Sequence, residues 1–464
     1  MIVLSLFTLY LFWLGCVPIS FSKANGRIFE QVALAIGVGM LLNFSLVLTG
    51  QSIGRVFAAG MILAIWGALR WFAAFRVRPL PAGPPGLSAG LFSVGCMVCL
   101  LAVYYFQILS EPLVNWDARS IWFFHAKMIW AEGALRQSTG WNHPSLAFSN
   151  PDYPKLVPAI AAQLAYLKGA WNEFLPKGSL LVMLVPLTLW IFSFRQKSVS
   201  FILLILMFFF SLDAWLWNGY MDGYLVLYSA VTLLLFGRYL AEQRDVDLYS
   251  GMSALGISAN LKNEGLLYSL CLISALFIIS RRSPAFSLRV YARRIGTDAV
   301  FASVLLISIA PTIMWTICKQ AWGLQNDLAA NPSGGLLRLT DRLFDGVSSQ
   351  YVLHFLIIRA SAARLLVGLL AITVMFAAYQ RLKLHRGALV AATTSALYVC
   401  GIFLVYLSTP HNDLPFYLLT SAARTMTTAS VGLLVAVFFL LVDLEVKAPD
   451  SSRQQRTPML QSAP

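Results

Sequence analysis

Charge is scarce in this 464-residue chain: Asp, Glu, Lys and Arg together make up 12% of it, against 58% hydrophobic residues. A chain so poor in charge, with apolar runs of spanning length recurring almost from end to end, belongs in lipid rather than water. Cysteine is also sparse. The six, Cys16, Cys96, Cys99, Cys271, Cys318 and Cys400, all fall within expected spans, which argues against a disulfide framework or a hydrated metal centre. Cys96 and Cys99 have CxxC spacing but no second pair, so ordinary helix packing accounts for them. Heptads, a glycine-rich phosphate loop and an internal repeat are absent. The missing repeat counts against the paired inverted halves of many transporters. No Lys or Arg precedes the first apolar run and no small-residue cleavage site follows it, so that run is expected to stay as a helix.

What is present reads as an all-α, polytopic transmembrane bundle of 11 to 13 membrane segments. A bilayer-spanning helix needs about 20 apolar residues. Eleven spans are predicted, at 2–20, 30–49, 56–75, 88–109, 178–194, 199–217, 223–241, 298–320, 362–379, 387–407 and 425–444. Two segments are ambiguous: 154–168, short and proline-marked, and 250–279, interrupted by Lys262, Asn263 and Glu264. Placing the first along the outer surface and letting the second dip in and return puts 20 of the 34 basic residues in loops on one side. The net charge of +14 then reflects loops beside an anionic inner leaflet, not a nucleic-acid partner. Residues 1–87 are expected to form N-terminal transmembrane helices, 88–444 a second transmembrane unit with external loops 110–177 and 321–361, and 445–464 a disordered cytoplasmic tail.

The outward segments hold the chemistry. Trp116, Asp117, Ala118 and Arg119 open an aromatic-rich stretch that runs through His125 and Lys127 to Trp130, patterned as an amphipathic helix at headgroup level. Asp117 is either an N-cap or a functional carboxylate. Arg119 and Lys127 point about 80° apart on a helix and can reach one anion or separate lipid phosphates. Downstream, Asn150, Pro151, Asp152, Tyr153, Pro154 and Lys155 place a carboxylate and a cation at the start of a short helix. Lys262 and Glu264 sit inside an apolar stretch, where charges are costly unless paired with each other or set at a wet cavity. Asp222 suits a cap or a ligand, His125 a hydrogen bond at the interface or a substrate contact, and Arg424 a snorkelling role or phosphate binding. Residues 331–345 read as a turn followed by an amphipathic surface helix.

Taken in order, the Trp116–Trp130 run, Asp152-Tyr153-Pro154, Gly219-Tyr220-Met221-Asp222, Lys262-Asn263-Glu264-Gly265 and the Tyr406–Arg424 segment resemble the GT-C superfamily of integral-membrane glycosyltransferases. The likeness covers about residues 88–444 and is strongest to the bacterial branch related to protein O-mannosyltransferases and to aminoarabinose or galacturonic acid transferases. The resemblance implies a catalytic carboxylate in the first large external loop, a polyprenyl-phosphate sugar donor and inversion at the anomeric carbon. Two features differ: three further spans precede the loop, and Ala118 stands where several relatives carry a second acid. A divalent metal therefore stays open as a cofactor.

Elementary chemistry asks for the same parts. Glycosyl transfer needs a base for the acceptor proton and cations for the departing phosphate. Asp117 is the expected base. Lys127, Lys155, Lys262, Arg424 and Arg119 are the expected phosphate ligands, and Asp152, Tyr153, Asp222, Glu264 and His125 the expected substrate or metal contacts. The expected protein is a multi-pass enzyme of the bacterial inner membrane with its site facing the periplasm. Its expected partners are the lipid-linked donor, a lipid or glycan acceptor and membrane lipids. The alternative is a transporter or flippase of a lipid-linked sugar.

Overall fold

The structure is a computed structural model, and it describes residues 1–19, 27–76, 87–194, 216–280, 288–324, 332–359, 385–409 and 414–447. The described residues form helices and turns, with no strand pairing beyond an isolated bridge between Ser52 and Ala134. In chain order the α-helices are α1 (Ile2–Cys16), α2 (Ile28–Leu48), α3 (Ile53–Arg76), α4 (Leu87–Ser110), α5 (Phe123–Glu132), α6 (Leu156–Lys168), α7 (Gly178–Phe192) and α8 (Asp222–Glu242). They continue as α9 (Asp245–Ala259), α10 (Asn263–Ser280), α11 (Leu288–Thr297), α12 (Ala299–Ala321), α13 (Pro332–Phe344), α14 (Ser348–Arg359), α15 (Arg386–Ser408) and α16 (Leu414–Lys447).

Seven helical runs are long and apolar enough to cross a bilayer: Ile28–Leu48, Ile53–Ala74, Leu175–Phe192, Asp222–Glu242, Ala299–Ala321, Arg386–Ser408 and Leu414–Leu441. Seven is the number established among the described residues, against the eleven expected. The first expected span appears as α1, 15 residues long, or about 22 Å at 1.5 Å per residue. Those at 199–217, save for its last two residues, and at 362–379 lie outside the described residues, as does the tail past Lys447.

The surfaces identify the surrounding solvent. On α3, Ile62, Ile65, Trp66, Leu69 and Phe72 are exposed along one helical face, and on α12 Leu306, Ile309, Ile313 and Ile317 are too. Continuous apolar stripes of this kind on long helices fit a lipid surround, and the protein is membrane-embedded.

Helix starts are set locally. The Asp298 carboxylate accepts from the backbone N–H groups of Val300 and Phe301 at the head of α12, and His385 Nδ1 accepts from Gly387 N–H at the head of α15. At the head of α2, Arg27 N–H donates to Glu30 Oε2 at 2.9 Å and Glu30 N–H to the Arg27 carbonyl at 3.0 Å. Buried amides then cross-link helices: Asn43 on α2 and Gln163 on α6 exchange hydrogen bonds of 2.8 and 3.0 Å.

Two ends of the bundle emerge from the contacts. At one, Glu30, Arg238, Arg244 and Asp247 interlock, and Arg294 pairs with Asp245 at 2.7 Å. At the other lie Asp117, Asp222, Lys262 and Arg424. Helices α9 and α10 connect the two. α9 leaves Asp245 at the first end, the chain breaks at Asn260–Lys262 at the second, and α10 sets off again from there. The break requires glycine at position 265, where a Cβ would stand 1.9 Å from the Ser258 carbonyl oxygen.

Candidate active site

Asp117 immediately precedes a π-helical turn, Ala118–Trp122, in which Phe123 N–H reaches back five residues to the Ala118 carbonyl. Its side chain caps nothing. Instead, Asp117 Oδ2 accepts from Arg424 Nη1 at 2.7 Å, joining two positions 307 residues apart. Two neighbours fix the turn. Trp122 stacks on Tyr153, with ring centroids 5.3 Å apart and planes 6° from parallel. Gly219, at φ 92°, packs so tightly that a Cβ there would meet Ala118 Cβ at 2.6 Å. Only glycine tolerates both that φ and that approach. Ala118 is fully buried against it, so a second acid at position 118 has no room. The same Gly219 turn delivers Asp222 to the first residue of α8 and sets Tyr220 beneath the Arg424 guanidinium, 5.4 Å from its ring centroid. Burial, followed by the charge of Asp117, raises the Tyr220 phenol above its ordinary range.

From the α9–α10 break, Lys262 Nζ donates to Asp222 Oδ1 at 3.0 Å and stands 3.3 Å from Glu264 Oε1. Its ammonium also lies 5.9 Å from the Tyr153 ring centroid. Arg424 reaches Asp222 Oδ2 at 3.6 Å in addition to Asp117. The result is a chain of alternating charge: Asp117, Arg424, Asp222, Lys262, Glu264. Asp152 stands beside it, accepting from Asn263 Nδ2 at 2.6 Å.

These groups enclose a cavity of about 190 Å³, closed on its other sides by Ile402, Val405, Tyr406 and Tyr417. That is space for about six waters at roughly 30 Å³ each, or for one small polar ring. Four carboxylates (Asp117, Asp152, Asp222, Glu264) and two cations (Lys262, Arg424) line it, a formal charge of −4 + 2 = −2. Glu264 Oε2 is buried without a hydrogen-bond partner among the described residues, leaving that carboxylate half-satisfied by them. Among the described residues no three His, Cys, Asp or Glu side chains are grouped to hold a metal ion.

The structure thus brings together seven of the residues singled out in the sequence: Asp117, Asp152, Tyr153, Asp222, Lys262, Glu264 and Arg424. Four others lie elsewhere. Arg119 and Lys127 are exposed and outside the cavity lining. Lys155 is wholly buried, its ammonium donating to Pro151 O at 2.8 Å and to His125 Nδ1 at 3.0 Å between the rings of Trp141 and Trp315. His125 is its partner in that latch. Ser149 Oγ donates to the Leu146 carbonyl, so it can only accept from His125 Nε2 at 3.2 Å, which fixes a neutral imidazole protonated on Nε2. Burial, and then the nearby Lys155, push the His125 pKa well below its ordinary value. Burial likewise lowers Lys155, with Asp152 opposing.

Several lining residues were not anticipated. Thr420, Ser421 and Thr425 share the Arg424 face of α16 with Tyr417, and their spacing of three and four residues is a polar stripe visible in the sequence. Asn263, named in the sequence only as part of the Lys262–Gly265 break and not itself in the lining, holds Asp152. Comparison with protein-family models, with curated proteins and with solved structures gives no match to this chain.

Proposed function

We propose that this protein is a membrane glycosyltransferase of the GT-C type, moving a sugar from a polyprenyl-phosphate donor to a hydroxyl of a lipid or cell-envelope glycan. Inversion occurs at the anomeric carbon, and Asp117 is the general base. The site faces the outer side of a bacterial inner membrane. The orientation is supported by Arg238, Arg244 and Arg294 lying at the end of the bundle opposite Asp117, since basic residues gather on the cytoplasmic side.

One observation carries the reading: Asp117 and Asp222 share Arg424, and they do so unequally. Asp222 is buried, 6% exposed, and keeps Lys262 as a second partner; Asp117 is 22% exposed and, among the described residues, pairs with Arg424 alone. A donor phosphate entering a cavity of formal charge −2 must displace a carboxylate from a cation. Asp117 is the one that yields at least cost, because it stays in contact with water. Once displaced, it is an unpaired carboxylate beside the reacting carbon, which is what a base for the acceptor hydroxyl must be. In the reaction the acceptor oxygen attacks C1 and its proton passes to Asp117. The bond from C1 to the phosphate oxygen breaks, its electron pair leaves with the phosphate, and Arg424 and Lys262 stabilise the charge.

The test is transfer from a radiolabelled polyprenyl-phosphate sugar by the purified protein in lipid nanodiscs. Asp117→Asn should lower turnover by about 10²–10⁴-fold, the usual worth of a general base, with donor binding retained. Near-normal turnover removes Asp117 from the base role. Movement of the donor across the bilayer without transfer would make the protein a flippase.

A further inference from the structure

A second, larger cleft lies on the same end of the bundle, and we infer that it is the binding site for the uncharged, hydroxyl-rich glycan portion of the acceptor. The inference rests on the transferase reading for the word acceptor, and on the cleft alone for the ligand chemistry.

The cleft has a volume of about 860 Å³, between the 132–142 segment after α5 and the last turn of α12. It is several times larger than the 190 Å³ cavity beside Asp117 and within the roughly 300–1,000 Å³ usual for ligand sites. Its lining selects the ligand. Glu132 and Arg136 cancel, so no net charge attracts a phosphate, and a single carboxylate does not make a cation site. Amides and hydroxyls dominate: Gln137, Ser138, Thr139, Asn142 and Gln320, of which Ser138 donates to Glu132 at 3.1 Å. An apolar chain would strip water from these groups without replacing its hydrogen bonds. Of them, Gln137 is buried and already donates to the Ala134 and Leu135 carbonyls. Among the described residues no side-chain hydrogen bond is made by Thr139, Asn142 or Gln320, and Asn142 stands between Gly140 and Gly323 across the two walls. Side-chain amides that both donate and accept, set beside the half-buried indole of Trp322, match sugar hydroxyls and the C–H face of a pyranose ring.

The cleft is also connected to the candidate active site. Trp322 lies 6.0 Å from Trp315, centroid to centroid, and Trp315 Nε1 donates to the backbone oxygen of Asp152, whose residue lines the inner cavity. Trp141, the floor of the cleft, holds the Lys155 ammonium 4.7 Å from its ring, and Lys155 lies 5.3 Å from Trp315. Trp315 thus touches a lining residue of each space, Trp322 of the cleft and Asp152 of the inner cavity. A glycan seated in the larger one lies directly behind the wall that positions Asp152.

The experiment uses the full-length protein in nanodiscs. Oligosaccharides released by mild acid from the producing cell's surface glycolipids are titrated in, with binding read by tryptophan fluorescence and calorimetry and with inorganic phosphate as the anionic control. Saturable oligosaccharide binding is expected, weakened at least about tenfold both by Asn142→Trp, which fills the gap, and by the near-isosteric double variant Thr139→Val with Gln320→Leu. Asp117→Asn should leave it unchanged. No saturable binding, equal binding of phosphate, or binding indifferent to both cleft variants overturns the proposal. If the oligosaccharides bind in the cleft but no transfer occurs, only the transferase reading falls; if transfer proceeds with the acceptor KM unchanged in both variants, only the cleft falls.

Discussion

Both ends of the bundle carry interlocked charges in a protein that has few to spend, and the two clusters are built on different terms. At the end away from Asp117, Arg238 grips Asp247 with two hydrogen bonds of 2.9 and 2.5 Å and reaches Glu30 at 3.2 Å, while Arg244 holds Glu30 from the other side. Two buried carboxylates meet two cations, with the exposed Glu242 a third partner 3.7 Å from Arg244; Glu30, Asp247 and Arg238 are all less than a tenth exposed, and Arg238 lies 3.9 Å from the Phe194 ring centroid. In this forked arrangement every carboxylate oxygen of Glu30 and Asp247 has an arginine partner. At the Asp117 end the contacts are single, the carboxylates outnumber the cations and a cavity lies among them. The comparison teaches that burial of charge by itself does not mark a functional site in a membrane protein. Imbalance together with space is what sets the candidate site apart from the other cluster.

Substitutions should separate the two ends. The largest effect expected is the loss of transfer in Asp117→Asn, about 10²–10⁴-fold, with the thermal midpoint of the nanodisc protein little changed because that carboxylate is partly solvated. Arg238→Ala should do the reverse. It strands Asp247 and Glu30 without their shared cation, a loss of about 3–5 kcal/mol for a broken buried pair. Its folded fraction should still transfer sugar at the normal rate per molecule, measured by active-site titration against turnover. If Arg238→Ala abolished turnover in protein that stayed folded, the division between a structural end and a chemical end would be wrong. Lys262→Ala lies between the extremes. It removes the cation that Asp222 and Glu264 share, so donor KM should rise about tenfold or more while acceptor KM holds, a pattern that a purely bracing ion pair does not produce.

The helices were legible because lipid imposes a simple rule. Apolar windows of spanning length gave α2, α3, α8, α12 and α15 to within a few residues, since every backbone group in the bilayer must be satisfied locally, whereas α16 begins at Leu414, eleven residues before the span expected at 425–444. The same rule exposed the site. Asp117, Asp222, Lys262, Glu264 and Arg424 stood out as costly charges in or beside apolar runs, and all five line one cavity. Pairing was not legible. Arg424 finds Asp117 across 307 residues and Trp315 finds Asp152 across 163, choices made by helix packing that no local pattern encodes. Lys155 shows the cost of that blindness. A lysine after a proline-marked turn suggested a phosphate ligand, but α6 is buried along most of its length and draws Lys155 inward to His125. Arg119 and Lys127, spaced to share an anion, face outward, away from the cavity.

The smallest effect expected concerns that His125–Lys155 latch, which has no counterpart in the Arg238 cluster. Burial, and then Lys155, hold the His125 pKa well below its ordinary value in the folded protein. The unfolded chain takes up a proton on this residue near pH 6.5, and the folded chain does not. Below that pH the unfolded state therefore binds more protons, and stability falls as pH falls, by at most about 1.4 kcal/mol per pH unit until the folded pKa is reached. Above pH 6.5 both states are neutral at this position and it contributes no slope. Lys155, also depressed by burial, has the same sign: stability falls as pH drops from the ordinary lysine value near 10.4 towards its folded value. His125→Asn leaves Lys155 an acceptor, so the difference in slope between variant and wild type isolates the imidazole. Thermal midpoints at pH 7.5, 6.5 and 5.5 should decline more steeply at the acid end for wild type than for His125→Asn; parallel declines would mean that His125 is charged in the folded protein and that the latch is not a neutral imidazole accepting from lysine.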